Sequence, residues 1–180
     1  TQKEIEALPP GRDISIVRSD APRQVVYGQA RVGGIITFVR LSDNNQILNL
    51  VVTFTGCEVE NIAEIYLDDA RVDFPAVPGW CSAFIRPDGS AIYNSNVYLD
   101  KNLGSDSQTA FSALVAKNIG WTSNHRQRGC AGVYLQLKWD SNLFADGIPS
   151  ISAVIKGKKL YDPRIDDIEY SANGALVIAD

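Results

Sequence analysis

The strongest constraint on the fold is an alternating segment near the carboxyl end of the chain. Ser150 to Lys156 alternates apolar and polar residues with the two-residue period of a half-buried β-strand. Gly157 is suited to a tight reversal, Lys159 to Tyr161 returns as a second strand, and Pro163 then prevents further ladder hydrogen bonds. The segment therefore predicts a β-hairpin that closes a domain.

Earlier strand signals predict that the whole fold is mainly β. Short strands rich in β-branched residues surround a glycine-rich bend at Gly28, Gly33 and Gly34, which indicates a hairpin. Ile47 to Phe54 is continuously apolar, as expected of a strand covered on both faces. Ile62 to Asp73 reads as a further hairpin with a polar turn. We expect a β-sandwich or a partly open barrel of antiparallel hairpins.

One α-helix is predicted near residues 106–119. Ser105 is a possible N-cap, and Gln108 stands three residues later as in a capping box. The helix would carry one apolar stripe, formed by Phe111, Leu114, Val115 and Ile119. Gly120 follows as a residue that tolerates a left-handed conformation and ends the helix. We expect the apolar stripe to pack against the sheet.

The distribution of residue types divides the chain into three parts. Residues 1–21 mix charges with a Pro-Pro-Gly break and predict an arm or linker, whereas residues 22–164 form a β-rich domain. Residues 165–180 would begin a following segment, with a helix over 171–180. The lack of methionine and the apolar end of the chain suggest a fragment of a longer polypeptide. Within the domain, residues 74–96 predict an irregular excursion, because prolines and glycines recur there.

Charge and hydropathy argue against two classes of partner. The net charge is −4, the sequence pI is about 5.0, and the 17 basic residues are scattered rather than clustered in a stripe. A sequence-specific nucleic-acid interface needs such a positive footprint, so none is expected. No apolar run approaches the roughly 20 residues that cross a bilayer, and a membrane span is therefore not predicted.

The cysteines do not form a recognisable metal or disulfide pattern. Cys57, Cys81 and Cys130 are widely spaced, and His125 is the one histidine of the chain. Buried free thiols in a reducing cytoplasm are the preferred interpretation. We expect no catalytic residue, no metal and no cofactor, although a Cys–His hydrolase remains an alternative.

Other polar clusters are interpreted as turns. The glycines of Y-G-Q-A-R-V-G-G fit neither a dinucleotide-binding fingerprint nor a phosphate-binding loop. Asp43 to Asn45 lacks the spacing of a calcium loop, and the carboxylate pair Asp68 and Asp69 lies between two strands. These residues are therefore expected to bend the backbone.

The aromatic residues leave two interpretations open. Trp80, Trp121 and Trp139 are preferred as core or cross-strand residues, as is usual in β-rich chains. The alternative is a surface that binds carbohydrate or protein. Arg126 and Arg128 are candidates for an interface or for ion pairs within the domain, because the guanidinium fork serves both uses.

Four separated blocks of the sequence carry a family resemblance. They run from about Pro22 to Arg164, and residues 74–96 match none of them. The blocks are R-Q-V-V-Y-G-x-x-R-V-G-G at 23–34, I-x-x-I-Y-L at 62–67, W-x-x-x-H-R-x-R-G at 121–129, and the run 146–164. In this order they resemble the tail tip, or host-specificity (J-like), proteins of siphophages and prophages.

The resemblance implies a part of the tail hub, which closes the distal end of a long non-contractile tail. Such a protein is usually a trimer in the virion tail tip, assembled in the bacterial cytoplasm. Its partners are the distal tail protein and neighbouring hub proteins. The sequence therefore favours a virion structural and interaction module without catalysis. A tail-associated Cys–His cell-wall peptidase and a carbohydrate-binding module are the alternatives.

Overall fold

The computed structural model describes residues 22–73 and 78–180. The predicted arm over residues 1–21 lies outside the described residues. The described part contains thirteen strands and two short helices: β1 Gln29–Gly33, β2 Ile35–Ser42, β3 Ile47–Thr55, β4 Asn61–Leu67, β5 Ala70–Asp73, β6 Gly79–Trp80, β7 Phe84–Ile85, β8 Ala91–Ile92, β9 Val97–Leu103, α1 Ser112–Ala116, β10 Ala131–Lys138, β11 Ile151–Lys156, β12 Lys159–Asp162, β13 Asp167–Tyr170 and α2 Gly174–Ala179.

Two antiparallel sheets form a sandwich. The first sheet has the strand order β1-β11-β4-β5-β7-β8, and the second sheet has the order β2-β3-β10-β9-β6. One buried apolar cluster joins them, with members from β4, β5 and β11 on one side and from β3, β9 and β10 on the other. The prediction of a mainly β fold is confirmed, and the described sheets do not close into a barrel.

Strand β3 is buried on both faces, as the continuous apolar run predicts. Leu50 and Val52 point into the core between the sheets. Val51 belongs to a second cluster on the outer face of the second sheet, together with Phe111 and Leu114. The segment around α1 therefore covers this outer face, so β3 is buried on both faces although it also carries the polar residues Asn49, Thr53 and Thr55.

The glycine-rich bend does not form a hairpin, because β1 and β2 belong to different sheets. Strand β1 pairs with β11, and β2 pairs with β3. Gly34 lies at the crossing between the sheets. A Cβ atom on Gly34 would stand 2.1 Å from the Val52 Cγ1 atom, so no larger residue fits there without movement. Of the other two predicted bend glycines, Gly28 directly precedes β1 and has a φ of +62°. Gly33 is the last residue of β1.

The predicted hairpin between β11 and β12 is also wrong. Strand β11 lies between β1 and β4, and beyond it the chain continues straight along the segment before β1. The Gly157 N–H donates to the Gly28 carbonyl (2.7 Å), and the Lys158 N–H donates to the Val26 carbonyl (2.8 Å). A two-residue reversal at Gly157 would leave these N–H and carbonyl groups without partners. The extended arrangement is favoured because it pairs them in hydrogen bonds. By contrast, the predicted β4–β5 hairpin is confirmed.

Strand β12 pairs with β13 around a turn that contains Pro163. The segment predicted to begin at residue 165 is therefore hydrogen-bonded, through β13, to the end of the predicted β-rich domain 22–164. Helix α2 lies within the predicted range 171–180. The side-chain carboxylate of Asp180 accepts hydrogen bonds from the Tyr27 hydroxyl and the Lys158 ammonium group. These contacts hold the end of the chain against the sandwich.

The buried Asp162 carboxylate at the end of β12 should titrate at unusually low pH. Hydrogen bonds from the Arg164 guanidinium and then from its backbone N–H lower the pKa of Asp162 from 3.8 to about 2. Because the folded-state pKa is depressed, its contribution to stability is complete above about pH 4 and is lost as the pH falls through 2. We expect a carboxyl ¹³C titration midpoint near 2, and Arg164→Gln should move it toward 3.8. An unchanged midpoint in Arg164→Gln would contradict this assignment.

The helix α1 is much shorter than predicted. It covers five residues, and its N-cap is Phe111, without a side-chain hydrogen bond. Gln108 does not complete a capping box. Its buried side-chain carbonyl accepts from the Gly104 N–H (2.7 Å), and its amide donates to the Arg126 and Gln127 carbonyls. The Gln108 side chain therefore links the loop after β9 to the loop before β10, and it does not cap the helix N-terminus.

A buried polar pair lies beneath the α1 segment. The Tyr134 hydroxyl donates to the Asn49 Oδ1 atom (2.7 Å), and the Asn49 amide donates to the Arg40 carbonyl. Tyr134→Phe would leave the buried Asn49 oxygen without this donor, so we expect a loss of about 1 to 2 kcal/mol in the free energy of unfolding. Urea denaturation measures this loss. Tyr161→Phe is the control, because Tyr161 is exposed and should change stability by less than about 0.5 kcal/mol. Equal losses in both variants would contradict the expectation.

Candidate functional site

An apolar cavity opens at the end of the sandwich where β2 ends, β3 begins and β10 ends. Its volume is about 170 Å³, and nearly all of its lining is apolar. Trp139 is 61% exposed at its rim, so a large aromatic surface faces solvent. The cavity is lined by Leu41, Asn45, Gln46, Leu48, Leu137, Trp139, Phe144, Gly147 and Ile148. A concave, mainly apolar site beside a few polar groups makes this cavity the candidate binding site of the described residues.

A second, polar cavity of about 680 Å³ adjoins the first. It lies at the corresponding end of the first sheet, where β4 turns into β5, and it shares Gly147 and Ile148 with the apolar cavity. Charged side chains at its wall include Asp68, Asp69 and Arg86. We call the two cavities together the end groove. Its wall is the loop 139–150, which carries the chain from the second sheet to the first.

A row of aromatic rings anchors this loop in the core. Trp139 lies over Phe144 with ring centroids 6.4 Å apart, and Phe144 stacks on Tyr93 at 5.6 Å. Tyr93 in turn meets Phe84 edge to face at 5.5 Å. Three of these four rings are buried, and Trp139 alone is exposed. One face of the exposed indole therefore contacts a ring that is itself packed in the core.

Hydrogen bonds fix both ends of the same loop. The backbone N–H of Trp139 donates to the Gln46 carbonyl (2.7 Å), and the backbone N–H of Ser150 donates to the Asp68 Oδ1 atom (3.0 Å). The other Asp68 oxygen accepts from the Tyr93 hydroxyl (3.4 Å). Burial, with the nearby Asp68 charge, raises the pKa of Tyr93 to about 12, so its hydroxyl stays neutral and remains a donor at physiological pH. The end groove is thus largely formed before any ligand arrives.

The tryptophans divide between the two interpretations offered by the sequence. Trp121 is buried beneath the α1 segment, which confirms its core assignment. Trp80 is 46% exposed, but it pairs with Tyr98 across β6 and β9, which agrees with the cross-strand interpretation. Trp139 is 61% exposed and lies beyond the end of β10, so the core or cross-strand assignment is wrong for this residue. The signal for the end groove lay in the loop after Trp139, where Phe144 and Ile148 interrupt an otherwise polar segment. Only the structure shows that the distant Leu41 and Leu48 complete the cavity.

The predicted positions Arg126 and Arg128 lie away from this groove. Both are exposed in the loop that precedes β10, whereas the end groove follows β10. The eight residues of β10 separate the two ends by roughly 25 Å. Within the described ranges neither guanidinium forms an ion pair, and Arg126 Nε donates to the Ser123 carbonyl (3.3 Å). Their role as interface residues stays a prediction.

The possible cysteine nucleophiles lie in poor surroundings for catalysis. Cys81 and Cys130 are buried, Cys57 is half-buried, and all three are free thiols. Burial raises the pKa of Cys81 to about 11, whereas a nucleophilic cysteine needs a lowered pKa. The His125 ring stacks on Trp121 at 4.8 Å, and its Nδ1 atom accepts from the Thr122 N–H (2.9 Å).

Thiol burial gives a direct chemical prediction. Iodoacetamide at pH 8 should modify Cys57 in the native protein and leave Cys81 and Cys130 unmodified, because buried thiols are inaccessible. Mass spectrometry of tryptic peptides measures the modification. All three thiols should react in 8 M urea, which is the control. Rapid native labelling of Cys81 would contradict its burial and reopen the peptidase alternative.

Residues 22–73 and 78–180 contain neither a metal-binding cluster nor a membrane-spanning helix. They hold no cluster of three or more histidine, cysteine, aspartate or glutamate side chains able to bind a metal ion. None of the helices in these residues combines the length and the apolar character that a bilayer span requires. The turn assigned to Asp43–Asn45 is confirmed, since these residues have φ angles of +50°, +55° and +66°.

Comparison with known proteins finds weak structural similarity to solved chains. The sequence matches no protein-family profile and no curated protein sequence. Among solved structures, a chain from the virion of the native gene transfer agent (GTA) particle aligns over 80% of this chain, with a TM-score of 0.48 and 14% identity. This chain spans 31% of the length of that chain. At this TM-score and identity, the similarity carries over neither a fold nor a function.

Proposed function

We propose that the chain is a structural and interaction module of a phage tail tip protein. The end groove is the observation that carries the interaction role. It is preformed and leaves the Trp139 indole 61% exposed beside an apolar cavity, which is a feature of protein interfaces. The four sequence blocks that resemble siphophage tail tip proteins support the more specific assignment to the tail hub.

In this role the sandwich is a rigid part of the distal tail complex. It contacts the distal tail protein and neighbouring hub proteins, and it forms a homotrimer in the virion after assembly in the host cytoplasm. The module performs no catalysis. The mildly acidic net charge of −4 is compatible with DNA leaving nearby, because like charges limit adhesion.

Localisation in assembled particles tests the proposal. The full-length protein is tagged at its native locus, and tail particles are purified by density gradient and labelled with gold against the tag. We expect the tag to sediment with tails and the gold to lie at the distal tip. An unrelated cytoplasmic protein with the same tag is the control and should stay at the top of the gradient. A tag that never sediments with tails would refute the proposal.

The exposed tryptophans favour carbohydrate binding as a second candidate. Trp80 meets Tyr98 edge to face at 5.8 Å, and Trp139 borders the apolar cavity, which adjoins the polar cavity. Aromatic faces stack on sugars, so either site would act as a platform for host glycans. A glycan array tests this function, with Trp80→Ser and Trp139→Ser as matched variants. Silence of the native protein on the array would remove the candidate.

A further inference from the structure

We infer that the outer face of the second sheet binds a neutral oligosaccharide through a row formed by Trp80, Tyr98 and Gln136. The inference rests on the second candidate function, carbohydrate binding. It adds where on the chain the glycan binds, which groups hold it and which kind of glycan it is. Of the two exposed tryptophans it selects Trp80, and the end groove has no part in it.

The three residues of the row lie side by side on adjacent strands. Trp80 of β6 is paired with Tyr98 of β9, and Tyr98 is paired with Gln136 of β10. Directly opposite residues of an antiparallel pair share one face of the sheet, with Cβ atoms about 5 Å apart. This is the outer face, because the alternating residues Leu135 and Leu137 point into the core. From β6 to β10 the row therefore extends over roughly 10 Å.

The aromatic end of the row offers a flat apolar surface to solvent. The Trp80 indole is 46% exposed, and its ring contacts Tyr98 edge to face at 5.8 Å. Tyr98 in turn meets the buried Tyr134 ring at 5.8 Å. A chain of ring contacts thus links the exposed indole to the interior, and such an indole face stacks on the C–H face of a sugar ring.

The polar end of the row is an amide without a partner. Gln136 is only 5% exposed, yet its side chain forms no hydrogen bond in the described part of the chain. There, Trp121 Nε1 is the only fully enclosed polar side-chain atom that lacks a partner, so both amide atoms of Gln136 still reach solvent. The adjacent Asn49 differs, because Tyr134 donates to its oxygen and its amide donates to the Arg40 carbonyl. Since polar groups this deeply buried are normally satisfied, the Gln136 amide indicates a polar ligand.

The charged groups around the row are of both signs. Asp43 is paired with Lys117 at 2.7 Å. Asp100 on β9 is negative, whereas Arg40 on β2 and Lys138 on β10 are positive. These charges nearly cancel, so they do not favour a strongly charged ligand. The class of ligand therefore follows from stacking and hydrogen bonding.

A saccharide matches both ends of the row better than a peptide does. Sugar hydroxyls both donate and accept hydrogen bonds, as the Gln136 amide does. A peptide that binds a sheet through its backbone pairs with a strand edge, whereas this row crosses the strands on a face. On that face the N–H and carbonyl groups of a peptide would lack ladder partners. An oligosaccharide with one ring on Trp80 and a further ring at Gln136 spans the row.

Two kinds of probe test the site on the full chain. The first is an array of bacterial surface polysaccharides, and the second is a set of soluble neutral hexasaccharides, namely maltohexaose, cellohexaose and chitohexaose. Binding is followed by the ¹⁵N–¹H signals of the Trp80 indole and the Gln136 side-chain amide. We expect a neutral glycan to bind and to shift both signals with the same dissociation constant. The Trp139 indole lies at the end groove and should not shift.

Gln136→Leu is the decisive variant, because it nearly preserves the size of the side chain and removes the amide. It should weaken glycan binding about fivefold. Its Tm should not fall, because no hydrogen bond within the described part of the chain is lost. Trp80→Ser should weaken binding at least about tenfold. Trp139→Ser, at the other exposed tryptophan, is the matched control and should leave binding unchanged.

The outcomes separate this inference from the functions on which it depends. Glycan binding that survives Gln136→Leu, that shifts Trp139 instead of Trp80, or that requires a charged glycan would refute the inference and leave carbohydrate binding to another site. Silence of the native chain with every probe would refute both the site and the carbohydrate candidate. Failure of the tagged chain to sediment with tails would refute the tail-tip proposal alone.

Discussion

Replacing Gly157 with alanine is expected to lower the free energy of unfolding by about 3 kcal/mol, which is near the upper end for single substitutions. A Cβ atom at this position would stand 2.0 Å from the Val26 carbonyl oxygen and 2.6 Å from its carbon. Both are backbone atoms, so no side chain can rotate away. Relief of the clash would break the hydrogen bonds from Gly157 and Lys158 to the segment before β1.

Gly33→Ala is the matched control, because a Cβ atom there would meet nothing within 4 Å. It should change stability by less than about 0.5 kcal/mol. Urea denaturation measures both variants, and equal m-values would show that the comparison concerns the folded state. If Gly157→Ala were as stable as Gly33→Ala, the close approach between these two segments would be wrong.

The second large effect is expected in the core between the sheets. Leu135 lies in the middle of β10, the central strand of the second sheet, and is fully buried. Leu135→Ala should lower the free energy of unfolding by about 3 kcal/mol through lost burial and the cavity that remains. For a chain of this size, that loss corresponds to a fall of roughly 6 to 12 °C in Tm.

Leu41→Ala serves as the control for the same chemical change at the groove rim. Leu41 is 51% exposed, so its truncation removes little buried surface and should lower Tm by no more than about 2 °C. Differential scanning calorimetry gives both values. A Leu41→Ala variant as unstable as Leu135→Ala would mean that the groove rim is part of the core.

Local sequence signals account for the elements that the sequence predicts correctly. The run Ile47 to Phe54 predicts a strand buried on both faces, because it carries apolar residues at positions of both faces. Its polar members Asn49 and Thr53 are buried with hydrogen-bond partners. The Asp68-Asp69 turn between β4 and β5 follows from residues that tolerate tight turns, and Asp68 has a φ of +53°. These predictions depend on a few neighbouring residues and on no distant partner.

The choice of partner strands could not be predicted in the same way. Alternation in β11 specifies one buried face, but it does not say which strands lie on either side. The local sequence predicts a turn at Gly157, whereas its real constraint is the carbonyl of Val26, which is distant in sequence. It likewise predicts a capping role for Gln108, because the loop carbonyls that Gln108 binds are distant in sequence. The end groove joins β2, β10 and the loop 139–150, and no local pattern brings those together.

The position of β11 has a consequence for synthesis of the protein. Every strand of the second sheet is complete by Lys138, whereas the first sheet lacks the strand between β1 and β4 until Lys156 has been added. At 5 to 20 residues per second, the ribosome needs roughly one to four seconds to cover that interval. During it β1 and β4 each present an unpaired edge, and the nascent chain is open to edge-to-edge association. The last inner strand to be made is therefore the one that ends this exposure.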